Sequence, residues 1–191
     1  MNPEPHKKLT IPEMHRLSVS DYKDAPKLPL IVVLDNVRSQ HNVGAVFRTA
    51  DAFRLEGIYL CGICCCPPND EIHKTALGAE LTVDWQYFKE TTDAVQSLRE
   101  RGYTVYAVEQ AHNSMTLAAL TQNHSGKLTD HGLAVVFGHE VFGVQQDVVN
   151  ACDGCIEIPQ YGTKHSLNVS VTAGIVMYEL SNALRNIISR S

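Results

Sequence analysis

Long apolar runs are missing from this chain. None approaches the roughly 18 consecutive apolar residues that a membrane-spanning helix requires, so no membrane partner is expected. The stretch from Met1 to Leu28 also lacks the apolar centre of a secretory signal, which makes the cytoplasm the expected location. An excess of positive charge is missing too: 16 Lys and Arg face 21 Asp and Glu, for a net charge of −5. That balance argues against a surface that is basic overall and leaves room for a local patch only. His6, Lys7, Lys8, His15, Arg16, Arg38, Arg48 and Arg54 are the candidates for such a patch. No Gly-x-Gly-x-x-Gly follows the first strand-like run, which excludes the dinucleotide-binding fingerprint. Internal repeats and low-complexity tracts are also absent.

Cysteine is present six times, at 61, 64, 65, 66, 152 and 155. Without an export signal these thiols are expected to be reduced. "CGIC" and "CDGC" have the spacing of zinc knuckles. The first pair, however, follows the apolar "GIYL", where Cys61 and Cys64 suit small buried positions. Only the second pair has the Gly and polar setting of a knuckle, and no metal is expected.

With 191 residues, 44% apolar and 19% charged, the chain suits one domain with its own core. Residues 1–28 are Pro-rich and polar and read as an arm, with a short helix near "IPEMHRL"; residues 29–191 read as the domain. From there strands and helices alternate. "LPLIVVLD", "GIYLCGI", "LTVDWQYF", "YTVYAVEQ", "GLAVVFG" and "CIEIP" predict strands, the third of them nearer an edge because it alternates with polar residues. "HNVGAVFRTADAF", "TTDAVQSLRERG" closed by Gly102, "MTLAAL", "QQDVVNAC" and "LNVSVTAGIVMYELSNALRNI" predict helices. Apolar strands alternating with helices imply a fold of the α/β class, a mostly parallel sheet with helices on both faces.

Ligands of such sheets bind at the carboxyl ends of the strands. Three strand ends carry unusual residues. "LDNVRSQHNVGAVFRTAD" places Asn42 at a helix start and Arg48 within it; "VVFGHEVFG" carries Gly138, His139, Glu140 and Gly143; "IPQYGTKHSLNVSVTAGI" loads a helix start with Ser166, Asn168 and Ser170. Each has a plain structural explanation. Asn42, Ser166 and Asn168 suit helix caps, the glycines suit a tight turn, and Arg48 suits an ion pair with Asp51 or Glu140.

Taken together, the three segments resemble the motifs, in order, of the SpoU (TrmH-like) class of the SPOUT superfamily, RNA ribose 2′-O-methyltransferases that use S-adenosylmethionine. The resemblance covers about residues 30–188 and includes "HKTALGAE" after the second strand. It implies a C-terminal part tied in a deep trefoil knot, an exception to the rule against threaded chains. It implies a homodimer whose sites draw on both subunits, with RNA as partner and S-adenosyl-L-methionine as cofactor. The cofactor positions that it carries over are Phe137, Gly138, His139, Gly143, Ile156, Ile158, Pro159, Tyr161, Gly162, Ser166, Leu167 and Val169. The catalytic positions are Arg48, Asn42, Glu140, Ser166 and Asn168.

The chemistry of these residues suits the implied reaction. Methyl transfer to a hydroxyl needs alignment and help for a developing oxyanion, but no metal. A guanidinium resists deprotonation, so Arg48 is expected to stabilise the 2′-oxygen or grip a neighbouring phosphate rather than act as a base. Glu140 is expected to orient Arg48 and its loop, and Ser166 and Asn168 to position the ribose. His139 departs from the family's usual Asn and introduces a group that titrates near neutrality. Some relatives carry a separate N-terminal RNA-binding domain where this chain has the arm. Substrate choice is therefore expected from the arm, the catalytic face and the dimer, with tRNA favoured over rRNA by elimination. An RNA-binding scaffold that had lost its chemistry would show damage at Arg48, Glu140 or Asn168, and all three are intact.

Overall fold

The computed structural model describes residues 6–123 and 131–189, so residues 1–5 of the expected arm lie outside the described residues. After a short helix α1 (Val19–Asp24), strands and helices alternate: β1 (Leu28–Asp35), α2 (Gln40–Phe53), β2 (Leu55–Cys61), α3 (Asp70–Ala76), β3 (Trp85–Phe88), α4 (Thr91–Glu100) and β4 (Thr104–Val108). Then follow β5 (Met115–Thr116), α5 (Leu117–Asn123), β6 (Leu133–Phe137), α6 (Gln146–Ala151), β7 (Gly154–Glu157) and α7 (Val169–Ile188). The strands form one sheet in the order β3-β2-β1-β6-β4-β7-β5, and every ladder is parallel.

An all-parallel sheet must be covered on both faces, because each crossover lays a helix on it. β1 shows how its sequence meets that demand. Leu30, Val32 and Leu34 point into one core layer with Val43, Val46 and Phe47 of α2, Ile72 of α3 and Val176, Met177 and Leu180 of α7. Ile31 and Val33 point the other way, against Ala94, Val95 and Leu98 of α4 and Val148 of α6. A strand buried on both sides has no polar alternation, which is why "LIVVL" reads as one apolar run. Its register against β2 shifts between Leu28 and Ile31, around Pro29, whose nitrogen has no hydrogen to donate to a ladder.

α2 packs so closely on α3 that a Cβ at Gly44 would lie 2.1 Å from Thr75 Oγ1 and 2.3 Å from the Ile72 carbonyl oxygen. Glycine there is a packing requirement. Among the described residues no helix is long and apolar enough to cross a membrane.

Several elements differ from the sequence expectation. "LTVDWQYF" forms a strand only over Trp85–Phe88, since Ala79–Leu81 closes in a 3₁₀ turn around the buried Glu80; β3 does lie at the sheet edge. "MTLAAL" begins as the edge strand β5, and its helix starts only at Leu117. "IPEMHRL" forms one 3₁₀ turn, Pro12–Met14. The helix of the arm is instead α1, capped by Ser18 accepting from the Asp21 N–H, and its Tyr22 is buried in the main core.

Candidate active site

Three strands, β1, β6 and β7, send the loops after their carboxyl ends to one place. After β6, the chain closes a tight hairpin in which the His139 N–H donates to the Gly143 carbonyl at 3.0 Å and the Gly143 N–H returns to the His139 carbonyl at 2.9 Å. Gly143 has φ of 68°, and a Cβ on Gly138 would lie 2.0 Å from the Gly143 carbonyl carbon, so both positions need glycine. His139 Nδ1 accepts from the Val141 N–H at 3.0 Å, which leaves Nε2 to carry the proton of the neutral ring.

The hairpin turns Glu140 toward the start of α2. Its carboxylate accepts from the Ser39 N–H at 2.9 Å, the Arg38 N–H at 3.1 Å and Asn42 Nδ2 at 3.0 Å. Burial pushes the Glu140 carboxyl upward, but hydrogen bonds from its own backbone, Ser39, Arg38 and Asn42 outweigh this and hold it below the usual carboxylate range. Asn42 is free to make this contact because it does not cap α2. Ser39 is the cap, accepting from the Asn42 N–H through its hydroxyl, which corrects the capping alternative for Asn42.

Asn168 does cap α7. Its Oδ1 accepts from the Ser170 N–H at 2.9 Å, the Ser170 hydroxyl at 2.6 Å and the Val171 N–H at 3.4 Å. Its Nδ2 donates to Asn42 Oδ1 at 3.3 Å. A continuous chain of hydrogen bonds, Glu140 to Asn42 to Asn168, therefore joins segments 98 and 126 residues apart.

This chain borders a cavity of about 610 Å³. Of the residues expected to hold a cofactor, Phe137, Gly138, His139, Gly143, Ile158, Ser166, Leu167 and Val169 line it, together with the expected catalytic Glu140, Ser166 and Asn168. Ile156 is buried in β7 behind the cavity, and Pro159, Tyr161 and Gly162 stand in an exposed loop outside its walls. Arg48 is also outside. It is exposed and lines a second cavity of about 750 Å³. The carboxylates expected to pair with it are engaged elsewhere, Asp51 with the Thr82 hydroxyl and Glu140 as above. No ion pair among the described residues involves Arg48.

Sequence reasoning missed the contribution of β4. Val108, Glu109 and Gln110 line the cavity at the carboxyl end of that strand. Glu109 accepts from the Val144 N–H at 3.1 Å, and Gln110 Nε2 donates to the His165 carbonyl at 2.9 Å, which ties the loop before α7 to the sheet. The polar "EQ" directly after an apolar strand was the available signal. Asp35, at the end of β1, was missed likewise. Fully buried, it accepts from the Thr91 hydroxyl at 2.6 Å, Asn36 Nδ2 at 2.9 Å and the Gln145 N–H at 2.9 Å, and so ties β1 to the starts of α4 and α6.

Cys64 lies in one core layer and Cys152 packs against the other. Cys64 Sγ accepts from the Val37 N–H and donates to the Leu34 carbonyl, and burial pushes its thiol up to about 12. Burial likewise pushes Cys152 up to about 12. Among the described residues no three His, Cys, Asp or Glu side chains come together as a metal-holding group.

The SpoU rRNA Methylase family model matches residues 29–178. A Staphylococcus haemolyticus protein named as a TrmH family tRNA/rRNA methyltransferase is 31% identical over 162 residues, 85% of this chain and 62% of that protein. The tRNA (guanosine(18)-2′-O)-methyltransferase of Thermus thermophilus is 31% identical over 150 residues, 78% of this chain and 73% of the relative. The 23S rRNA (guanosine-2′-O-)-methyltransferase of Vibrio parahaemolyticus is 31% identical over 169 residues, 87% of this chain and 64% of the relative. The chain thus spans less than two thirds of the length of the Staphylococcus and Vibrio proteins. Among solved structures, the AdoMet-bound rRNA methyltransferase from Sinorhizobium meliloti superposes with a TM-score of 0.73 at 25% identity, over 84% of this chain and 59% of that one.

Proposed function

Because the chain belongs to the SpoU rRNA methylase family, we propose that it transfers a methyl group from S-adenosylmethionine to a ribose 2′-hydroxyl of tRNA or rRNA. The observation that carries this reading is the Glu140–Asn42–Asn168 hydrogen-bond chain on the margin of the 610 Å³ cavity. The Thermus and Vibrio relatives are named for different RNAs but the same acceptor, a guanosine 2′-oxygen.

The residues present fit this cofactor. The cavity falls within the roughly 300–1,000 Å³ of small-molecule sites and combines apolar walls at Val108, Ile158 and Leu167 with backbone groups of the Gly138–Gly143 hairpin. Glu109 and Glu157 add carboxylates that suit a ligand bearing positive charge. When bound, the cofactor supplies a methyl group on a positively charged sulfur. Glu140 fixes the amide of Asn42, Asn42 in turn fixes that of Asn168, and Asn168 and Ser166 hold the ribose at the cavity mouth. The ribose oxygen gains that methyl carbon as the carbon's bond to sulfur breaks and leaves a neutral thioether, while the proton of the ribose hydroxyl passes to water.

Arg48 lines the other groove of its own subunit. Its work on the 2′-oxygen therefore belongs to a homodimer, in which Arg48 of the partner subunit meets this cavity. An exposed apolar stripe on α7 supports the dimer: Val171, Ile175 and Tyr178 are 52%, 40% and 56% exposed, and Gly174 between them leaves open space. The reading includes an arm over residues 1–28 and a methyltransferase domain over 29–191, a cytoplasmic location, a reaction without metal and a trefoil-knotted C-terminal part. The knot is supported by β7 lying between β4 and β5 while α7 returns to pack on α2 and β1.

The test is transfer of labelled methyl groups to RNA from a strain lacking the gene. Incorporation that Arg48→Ala abolishes is expected. No incorporation, with wild type and Arg48→Ala alike, defeats the proposal.

A further inference from the structure

We propose that the groove between the N-terminal arm, α2 and α7 is a phosphodiester-binding site that takes the backbone of the substrate RNA. The identity of the RNA rests on the methyltransferase reading above, whereas the site rests on its own geometry.

The groove encloses about 750 Å³. Arg16 comes from the arm, Arg48 and Arg54 from α2 and its end, and Arg185 from α7. His15 adds an imidazole. Asp51 is the one carboxylate on these walls, and the Thr82 hydroxyl donates to it at 2.6 Å. Four guanidiniums against one carboxylate make this groove locally positive in a chain whose net charge is −5. Arg185 is held in place by donating from Nη2 to the Phe53 carbonyl at 2.7 Å. Guanidinium forks match the oxygens of a phosphate in pairs.

A second observation points the same way. Tyr22 lies on the wall of this groove and is 5% exposed. Among the described residues its hydroxyl is the one buried side-chain polar atom without a hydrogen-bond partner. Burial pushes its ionisation up, so the hydroxyl stays protonated and is a donor in search of an acceptor. A groove that offers N–H and O–H donors from three elements calls for a ligand that only accepts. A phosphate oxygen meets that demand, and the arm supplies the groove wall from His15 to Val19 beside Tyr22. Free phosphate and a nucleic-acid backbone share this chemistry. Guanidiniums spread over three elements suit successive phosphates of a strand better than one isolated ion.

The test measures binding of bulk tRNA to the full chain across a range of salt, for wild type, the Arg16→Ala/Arg54→Asn double variant and Tyr22→Phe. Asn tolerates the left-handed conformation of Arg54, which has φ of 55°. The double variant is expected to bind roughly tenfold more weakly, with the slope of log affinity against log salt reduced by about 0.7–0.9 per lost contact. Tyr22→Phe is expected to weaken binding at an unchanged slope, because the lost donor is neutral. S-adenosylmethionine binding and melting temperature should stay at wild-type values in both. An unchanged slope in the double variant, in a protein whose wild type methylates RNA, overturns this site and leaves the methyltransferase reading standing. Inorganic phosphate that stabilises wild type but not the double variant, with equal RNA binding by both, assigns the groove to free phosphate and overturns the RNA assignment. A wild type that neither binds nor methylates RNA defeats both.

Discussion

Changing Glu140 to Gln tests whether the hydrogen-bond chain builds the site. The substitution keeps the shape and one oxygen but turns the other acceptor into an NH₂ donor. Oε1 accepts from Ser39 and Asn42, and Oε2 accepts from the Arg38 N–H. If the amide oxygen takes the Oε1 place, its NH₂ faces the Arg38 N–H, donor against donor. The flipped amide sets donors against two groups instead of one. A hydrogen bond to a charged group contributes about 1.5–3 kcal/mol, and the exposed Arg38 contact puts the loss near 1.5–2 kcal/mol. For a domain of this size that corresponds to a melting temperature lower by about 3–8 °C. If the same energy holds Asn42 and Asn168 in place, kcat/KM for methyl transfer falls about ten- to thirtyfold. Thermal melts and steady-state methyl transfer read the two effects. A Glu140→Gln protein with wild-type melting and wild-type kcat/KM refutes the reasoning.

Further predictions concern pH, packing and assembly. Burial raises the Glu140 pKa, but the hydrogen bonds it accepts outweigh burial and depress it in the folded state. Its stabilisation is therefore complete above the unfolded value of about 4.3 and is lost as pH falls through the lower folded value, so between about pH 5 and 3 the wild type should lose melting temperature more steeply than Glu140→Gln. Gly44→Ala drives a Cβ to 2.3 Å from the Ile72 carbonyl oxygen, and an overpacking cost of about 3 kcal/mol less about 1 kcal/mol of helix propensity leaves a net loss of about 2 kcal/mol, read by denaturant unfolding. Unchanged stability would mean that α2 and α3 are not in this contact. Mixing Arg48→Ala with Asn168→Ala, each inactive alone, should restore about one quarter of wild-type activity, because half of the dimers are mixed and each mixed dimer carries one intact composite site. No recovery means that Arg48 acts within its own subunit.

Much of the fold was legible because its signals are local. Apolar runs such as "LIVVL" and "LAVVF", helical spacing in α2, and Gly102 after α4 identify an α/β chain with a parallel sheet. What escaped depends on partners distant in sequence. β5 is two residues long and exists only because β7 pairs with it. α1 is short, and its anchoring residue, Tyr22, has no local signature of burial. Within the site, the three motifs do converge through Asn42, Glu140 and Asn168. The cap of α2 belongs to Ser39 rather than Asn42, a difference of three residues that decides whether an amide serves its helix or the site. Arg48 could not be placed from sequence, because its position on α2 faces a groove completed by the arm and α7.

Locating the methyl group within the modified RNA tests the central claim most directly. RNA from a strain lacking the gene, treated with the protein and S-adenosylmethionine, is digested to nucleosides and read by mass spectrometry. The account predicts one added methyl on a ribose 2′-oxygen, lost with Asn168→Ala. A methyl group on a base, or none at all, contradicts it.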